Sequence, residues 1–368
     1  MKIGFDAKRL FHNQTGLGNY SRDLVRILKE FYPQDTYVLF NPKNKTIPFF
    51  SDTELFSTVT PKGLWKKLHP IWRTYGIAKE DSLKELDIYH GLSGEIPTNL
   101  PKNIKKVVSI HDLIFERYPA LYSSWDRHMH RKKFQYAVDH ADIVVAISQQ
   151  TKKDIAQFLK VPEKNIRVIY QGCSNVFKQT FSDDSLSATQ TKFNLPKEFV
   201  LNVGTIEERK NAFSLVKAVK DLDTTLVLIG RETDYCKAIH TYIEKHHIQA
   251  KVVFLKNVSQ LELAHIYTLA TIFAYPSIFE GFGIPIIEAM FCNTPVITTN
   301  SGVFPEAGGP NSVYVDPYNI SEIGFQITTL LKNPTLRNEI AEKGRLYVEQ
   351  FQDHSIATQW HNLYKNLI

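Results

Sequence analysis

Cysteine is scarce in this chain. There are three in 368 residues, Cys173, Cys236 and Cys292, and no two form a C-x-x-C pair. An odd, scattered set argues against a disulfide framework and fits a reducing compartment, so the cytoplasm is the expected location. Metal-ligand spacing is also missing: His128-x-His130 and His246-His247 have no nearby carboxylate or cysteine at ligand spacing. The single Asp-x-Asp triplet, Asp221-Leu222-Asp223, precedes an expected strand, at the wrong end of a sheet for a metal-diphosphate site. No apolar run approaches the roughly 20 residues of a membrane-spanning helix. Residues 1–6 read as a strand entering a core, without the basic and apolar stretches of a secretion signal. A large charge excess is absent as well. The formal net charge of +6 is too small to indicate nucleic acid as a partner, and suits an anionic ligand or an anionic membrane surface equally.

What is present is length enough for two domains, with 43% hydrophobic residues to build their cores. Short apolar runs alternate with helical stretches twice over. The first series of expected strands is 2–6, 36–40, 87–90, 105–110, 143–147 and 166–170, with a periodic helix over about 20–31. Residues 181–191, FSDDSLSATQT, are polar and serine-rich and read as a linker or exposed loop. Alternation then restarts at 199–203, 225–229, 251–255, 272–275 and 295–298. The expectation is an α/β protein with two doubly wound, Rossmann-like domains, 1–175 and 195–350. A C-terminal helix at 351–368 would be free to pack on either one, the N-terminal domain included. In such sheets ligands lie beyond the carboxyl ends of the strands, so the residues just after each strand carry the argument.

The strongest of these segments runs from Ser277 to Ala289, after the strand ending at Tyr275. Gly281 and Gly283 permit a tight loop with close backbone approach. Pro285 suits the first turn of a helix, whose open N–H groups receive phosphate oxygens. Glu280 on the loop and Glu288 in the helix can face one cavity, and a carboxylate there accepts hydrogen bonds from sugar hydroxyls. The plain alternative is a dipole-complementing Glu288 and a solvated Glu280. A second segment, Gly204 to Asn211, follows the strand ending at Val203 and puts Arg209 and Lys210 beside a helix start. Positive charge there is disfavoured unless an anion offsets it, and Asn211 reads as the helix N-cap. Gly16 and Gly18 lie between the first strand and first helix, as a backbone surface for phosphates or as an ordinary flexible loop. Position 21 is Ser21, so the third glycine of a dinucleotide fingerprint is missing. His111 stands directly after one strand, and His90 ends another, where it is a candidate for lining an acceptor side.

Taken in order, Gly16-Leu17-Gly18-Asn19-Tyr20, His111-Asp112-Leu113, Gly204-Thr205-Ile206-Glu207-Glu208-Arg209-Lys210-Asn211 and the E-x7-E pair Glu280/Glu288 resemble the GT4 family of retaining glycosyltransferases. The resemblance implies the GT-B fold, two Rossmann-like domains facing a central cleft. It implies a nucleotide diphosphate sugar as donor substrate, with no metal and no other cofactor. It assigns His111 and Glu280 to the reacting sugar and Glu288 to the nucleotide ribose. Gly16, Gly18, Gly204, Arg209, Lys210, Gly281, Phe282 and Gly283 are assigned to donor binding. Many members carry an arginine directly after the first glycine of the basic segment, where this chain has Thr205. Lys210 therefore maps more firmly than Arg209.

The combination most resembles bacterial mannosyltransferase-like members that build surface polysaccharides. GDP-mannose is thus the first donor to consider, a UDP-sugar the alternative, and a glycan or lipid-linked glycan the acceptor. Two other enzyme readings stand beside it: a nucleotide-sugar epimerase of the same fold, and an oxidoreductase with two Rossmann-like domains. A third alternative is a sugar-nucleotide-binding protein without catalysis. A lipid-linked acceptor would bring the protein to the inner face of the cell membrane. Lys62, Lys66 and Lys67 beside Leu64, Trp65 and Leu68 suit an anionic leaflet. So do Arg127, His128, His130, Arg131, Lys132 and Lys133 beside Trp125 and Phe134. The alternative is that both are solvated faces of ordinary helices.

Overall fold

A computed structural model describes residues 1–50 and 56–368. The chain forms two compact units. Residues 1–172 with 351–368 make the first, and residues 173–350 the second.

The first unit holds a seven-stranded, all-parallel sheet in the order β3-β2-β1-β4-β5-β6-β7. Its strands are β1 (Lys2–Asp6), β2 (Thr36–Phe40), β3 (Phe56–Val59), β4 (Ile88–Gly91), β5 (Lys105–Ile110), β6 (Ile143–Ala146) and β7 (Ile166–Val168). The second holds six parallel strands in the order β10-β9-β8-β11-β12-β13. These are β8 (Phe199–Val203), β9 (Thr225–Ile229), β10 (Val252–Leu255), β11 (Ile272–Tyr275), β12 (Val296–Thr299) and β13 (Val313–Val315). Helices cover both faces, so central strands read as near-continuous apolar runs: every residue of β8, β11 and β12 is buried. The one polar side chain in the middle of β8, Asn202, is satisfied by the Ala274 carbonyl of β11 at 2.8 Å.

Strand order reverses at the same place in each sheet. The chain winds from β1 outward to β3 and returns to the other side of β1 as β4; likewise β8 leads outward to β10 and returns as β11. The crevice beyond the carboxyl ends at such a switch point is where ligands bind in doubly wound sheets. In the first unit it is flanked by the segments after Asp6 and after Gly91. In the second it is flanked by those after Val203 and after Tyr275.

Several sequence expectations need correction. Residues 181–191 are not a loop but most of the helix Asp183–Lys192. Ser182 caps it by accepting the Ser185 N–H, Asp183 and Asp184 complement its dipole, and Thr189 turns inward to bond His265 at 2.7 Å. The first long helix begins at Gly16 rather than near Tyr20. Two strands are additional, the edge strands β3 and β13, four and three residues long. The helix Asp353–Lys365 packs on the helix Gly16–Phe31. Asp353 pairs with Arg26 at 2.6 Å, His361 stacks on Tyr32, and Trp360 and Tyr364 are fully buried.

Candidate functional site

In the second unit, the two segments at the switch point are bonded into one structure. The Ile278 N–H donates to the Arg209 carbonyl at 2.8 Å, and Ser277 Oγ lies 3.0 Å from the same oxygen. Arg209 answers by donating to the Phe279 carbonyl at 2.5 Å and pairing with Glu280 at 2.9 Å and Glu207 at 2.6 Å. Lys210 meets the same Glu280 Oε1 at 2.5 Å and donates to the Tyr275 hydroxyl. Tyr275 and Ser277 each donate to Oε1 at 2.9 Å. Four donors therefore converge on Oε1, while Oε2 accepts no hydrogen bond from the described residues. Burial alone would raise the Glu280 carboxyl, but the Lys210 and Arg209 cations hold it at about 2. The loop thus presents one carboxylate oxygen, permanently charged and rigidly aimed, as an acceptor.

Glu288 has the opposite surroundings. It lies in the helix Ile284–Phe291 and meets one polar side chain, the Tyr267 hydroxyl, at 3.1 Å. With no cation beside it, burial pushes its carboxyl up to about 7, against the small opposing effect of Tyr267. The two glutamates of the E-x7-E pair are therefore held by separate partners and in different electrostatic states.

The glycines divide by role. Gly204 has φ +142° and Gly283 φ +108°, both in the region that favours glycine. A side chain on Gly204 would sit against Lys210, 3.7 Å away. Gly281 is not in that region, and the Phe282 ring is buried. Pro285, which has no N–H, stands in the first turn of its helix; the Ile286 N–H donates to the Gly283 carbonyl at 2.9 Å, and no side chain caps the helix start. Asn211 is not the side-chain N-cap expected of it. It takes a left-handed conformation, φ +59°, and its amide bridges the Pro276 and Pro317 carbonyls at 3.1 and 2.7 Å. Thr205 leaves the basic segment with Arg209 and Lys210 as its cations. Of these Arg209 is committed to bracing the Glu280 loop.

In the first unit, Gly16 and Gly18 open the helix Gly16–Phe31 rather than a free loop. Gly18 is forced: a Cβ there would lie 1.8 Å from the Asn13 carbonyl oxygen. Gly16 faces open space, and at this helix start the Gly18 N–H donates to Asn13 Oδ1 at 3.1 Å. His111, after β5, places Nε2 at 2.9 Å from the Leu92 carbonyl. A carbonyl only accepts, so Nε2 carries the proton and Nδ1 is left as an acceptor. Burial lowers the ring's pKa to about 4, keeping it neutral. His90 does not line an open site. It is fully buried between Tyr364 and Ser109, each at 2.8 Å, and ties the C-terminal helix to the sheet.

The basic and aromatic patches are only partly as expected. Leu64, Leu68 and Trp125 are exposed, Trp125 by 71%, but Trp65 and Phe134 pack against the core. Arg127 and Arg131 are drawn toward Glu116, at 3.9 and 3.3 Å. No helix among the described residues is long and apolar enough to cross a membrane.

Sequence reasoning missed Tyr275, Ser277 and Tyr267. The first two had a readable signal, since both flank the strand end that precedes Glu280. Tyr267 had none, because it comes from the helix Gln260–Leu269 and meets Glu288 only after folding.

Comparison with known proteins identifies the family. Residues 16–174 match the family described as Glycosyltransferase Family 4, and residues 184–347 the family described as Glycosyl transferases group 1. The O-antigen chain mannosyltransferase B of Escherichia coli is 25% identical over 389 residues, covering all of both chains. The O-antigen chain mannosyltransferase RfbU of Salmonella typhimurium is 32% identical over 224 residues, 59% of this chain and 58% of its own. Among solved structures, sucrose-phosphate synthase from Thermosynechococcus elongatus superimposes with a TM-score of 0.79 at 21% identity, over 100% of this chain and 99% of that one. The two parallel Rossmann-like sheets are those of the GT-B fold.

Proposed function

Since this chain belongs to the glycosyltransferases, with a family 4 segment followed by a group 1 segment, we propose that it transfers mannose from GDP-mannose, with retention, to a glycan or lipid-linked glycan in bacterial surface polysaccharide synthesis. The whole-length likeness to an O-antigen mannosyltransferase supports mannose as the sugar. A UDP-sugar remains the alternative donor.

The observation that carries the reading is the clamped Glu280. Its free Oε2 is suited to hydroxyls of a donor sugar, and its fixed charge favours the positive character that develops on the sugar as the bond to diphosphate breaks. Lys210, together with the start of the helix Ile284–Phe291, would offset charge on the leaving diphosphate without a metal ion. Glu288 is assigned to the ribose diol, which donates two hydrogen bonds that a carboxylate can accept. The neutral His111, with Nδ1 as acceptor, is assigned to a sugar hydroxyl. Peripheral contact with an anionic membrane, through Leu64, Leu68 and Trp125 among their lysines and arginines, belongs to the same proposal. So does the absence of any nucleic acid partner.

Incubation with GDP-mannose or a UDP-sugar, with and without membrane-extracted acceptor, tests the reading. Acceptor-dependent nucleotide release and an α-linked product from the α-configured donor are expected. Conversion of the donor without acceptor would instead indicate an epimerase.

A further inference from the structure

The loop that carries Glu280 is launched from a stretch supported by residues the donor reading does not use. Strand β11 ends at Tyr275, and the next residue, Pro276, has no N–H to give. The chain leaves the sheet there while still buried: Tyr275 and Ser277 are both fully inaccessible. Buried carbonyls need donors, and past a strand end the ladder no longer supplies them. Three side chains do so instead. Thr298 Oγ1 donates to the Tyr275 carbonyl at 2.9 Å, Asn211 Nδ2 to the Pro276 carbonyl at 3.1 Å, and Thr299 Oγ1 to the Ser277 carbonyl at 2.6 Å. Thr298 and Thr299 are the last two residues of β12, and both are fully buried. Asn211 is buried as well, and its Oδ1 accepts from Ser214 at 2.7 Å.

The two threonines hold the two residues that matter most to Glu280. Tyr275 and Ser277 are the hydroxyl donors to its Oε1, and each has its own carbonyl held by one threonine of β12. Arg209 and Lys210 supply counter-charge, but long flexible side chains can follow a carboxylate that moves. The hydroxyls cannot. The Tyr275 ring is packed between Phe273, 5.6 Å away, and Phe304, 6.4 Å away. A serine hydroxyl stands one bond from Cβ, so it goes where the backbone goes. The direction of the free Oε2 therefore depends on the main chain at 275 and 277, and that main chain on Thr298 and Thr299.

We propose that Thr298 and Thr299 are positioning residues for sugar transfer, acting through Tyr275 and Ser277 to aim the Glu280 carboxylate at the donor sugar. Being fully buried, they touch no substrate themselves. The proposal rests on the glycosyltransferase reading and deepens its account of Glu280. Thr299 carries more of the effect, because its bond is the shorter and its partner Ser277 lies three residues from Glu280. Without its hydroxyl the Ser277 carbonyl loses a buried donor, and the backbone shifts to find another. Arg209 and Lys210 still hold the charge of Glu280 in that case, while Oε2 loses its aim.

The test compares Thr299→Val, which removes the hydroxyl at nearly constant shape, with Thr299→Ser, which keeps it. Nucleotide release from GDP-mannose or a UDP-sugar, with membrane-extracted acceptor, measures turnover, and calorimetry with GDP and UDP measures nucleotide affinity. Thr299→Val should lose roughly tenfold or more in turnover with its nucleotide affinity unchanged. Thr299→Ser should restore most of that loss. In a Glu280→Gln background Thr299→Val should cost little more, because the route through Glu280 is already cut. Three results would each overturn the proposal by giving Thr299 an ordinary packing role. They are a parallel fall in turnover and nucleotide affinity, an equal failure of Thr299→Ser, and full multiplication of the two losses in the double variant. Wild-type turnover in Thr299→Val overturns it too. Should Thr299→Val not fold, Thr298→Val carries the same expectations through Tyr275. Crystal structures of wild type and Thr299→Val separate the proposal from the reading beneath it. In the variant Ser277 Oγ should leave Glu280 Oε1, whatever the donor proves to be, and an unmoved loop overturns the proposal. Absence of both turnover and nucleotide binding in wild type would instead remove the glycosyltransferase reading.

Discussion

Glu280 and Glu288 lie eight positions apart in sequence, yet their surroundings drive their ionisation in opposite directions. Glu280 is held at about 2, so its contribution to stability is present above the ordinary carboxylate range and is lost as pH falls through that range toward 2. Glu288 is pushed up to about 7, so its contribution is complete at acid pH and is lost as pH rises through 7. A ribose diol binds the charged form of Glu288. Donor affinity should therefore rise as pH increases through 7, and Glu288→Gln should flatten that dependence; titrations at several pH values measure it. An unchanged slope in the variant would remove Glu288 from the nucleotide site. For Glu280→Gln the loss is larger than one hydrogen bond, because Lys210 is left buried with no carboxylate partner and Arg209 keeps Glu207 alone. Charged hydrogen bonds are worth about 1.5–3 kcal/mol each, so turnover should fall by roughly tenfold to a hundredfold or more, read in a nucleotide-release assay.

At the level of single elements, the two glycines that open the helix Gly16–Phe31 make a matched pair of experiments. Gly18→Ala drives a Cβ into the Asn13 carbonyl and must move the helix start, whereas Gly16→Ala meets open space. Thermal melts should show Gly18→Ala destabilised and Gly16→Ala nearly unchanged. If Gly16 does face the donor, Gly16→Ala should still weaken donor binding without loss of stability. The C-terminal helix offers a second case. Trp360 is fully buried against the first sheet's face, in ring contact with His90, and Trp360→Ala should cost about 3–5 kcal/mol in chemical denaturation. These elements also show where the sequence was legible. The inner strands β1, β2, β8, β9 and β11 carry mostly apolar, buried runs, and their bounds are those read from the sequence. The edge strands β3 and β13 bury only part of their side chains and gave no such run. The helix Asp183–Lys192 was misread because its polar composition hides an inward contact, Thr189 to His265, that exists only in the folded chain.

For the whole molecule, the candidate site was legible to the extent that its segments follow strands. His111, Lys210, Glu280 and Glu288 are candidates on that ground, because doubly wound sheets place their ligands at strand ends. What could not be read was which side chains would neutralise or orphan one another. Arg209 was expected at a phosphate and is found bracing the Glu280 loop, and Asn211 was expected as a cap and is found bridging two carbonyls. Phosphate charge offset by Lys210 and the start of the helix Ile284–Phe291 predicts turnover that survives exhaustive chelation. Complete loss, restored by magnesium or manganese, would contradict that part of the account. Contact with an anionic leaflet predicts sedimentation with anionic but not neutral vesicles, weakening with salt as screening shortens the reach of the lysines and arginines. The most direct measurement is calorimetric titration of GDP-mannose into the wild-type protein and its Lys210→Ala and Glu288→Ala variants. The account predicts saturable binding by wild type and weakening by roughly tenfold or more in each variant. Wild-type affinity in both variants would contradict it.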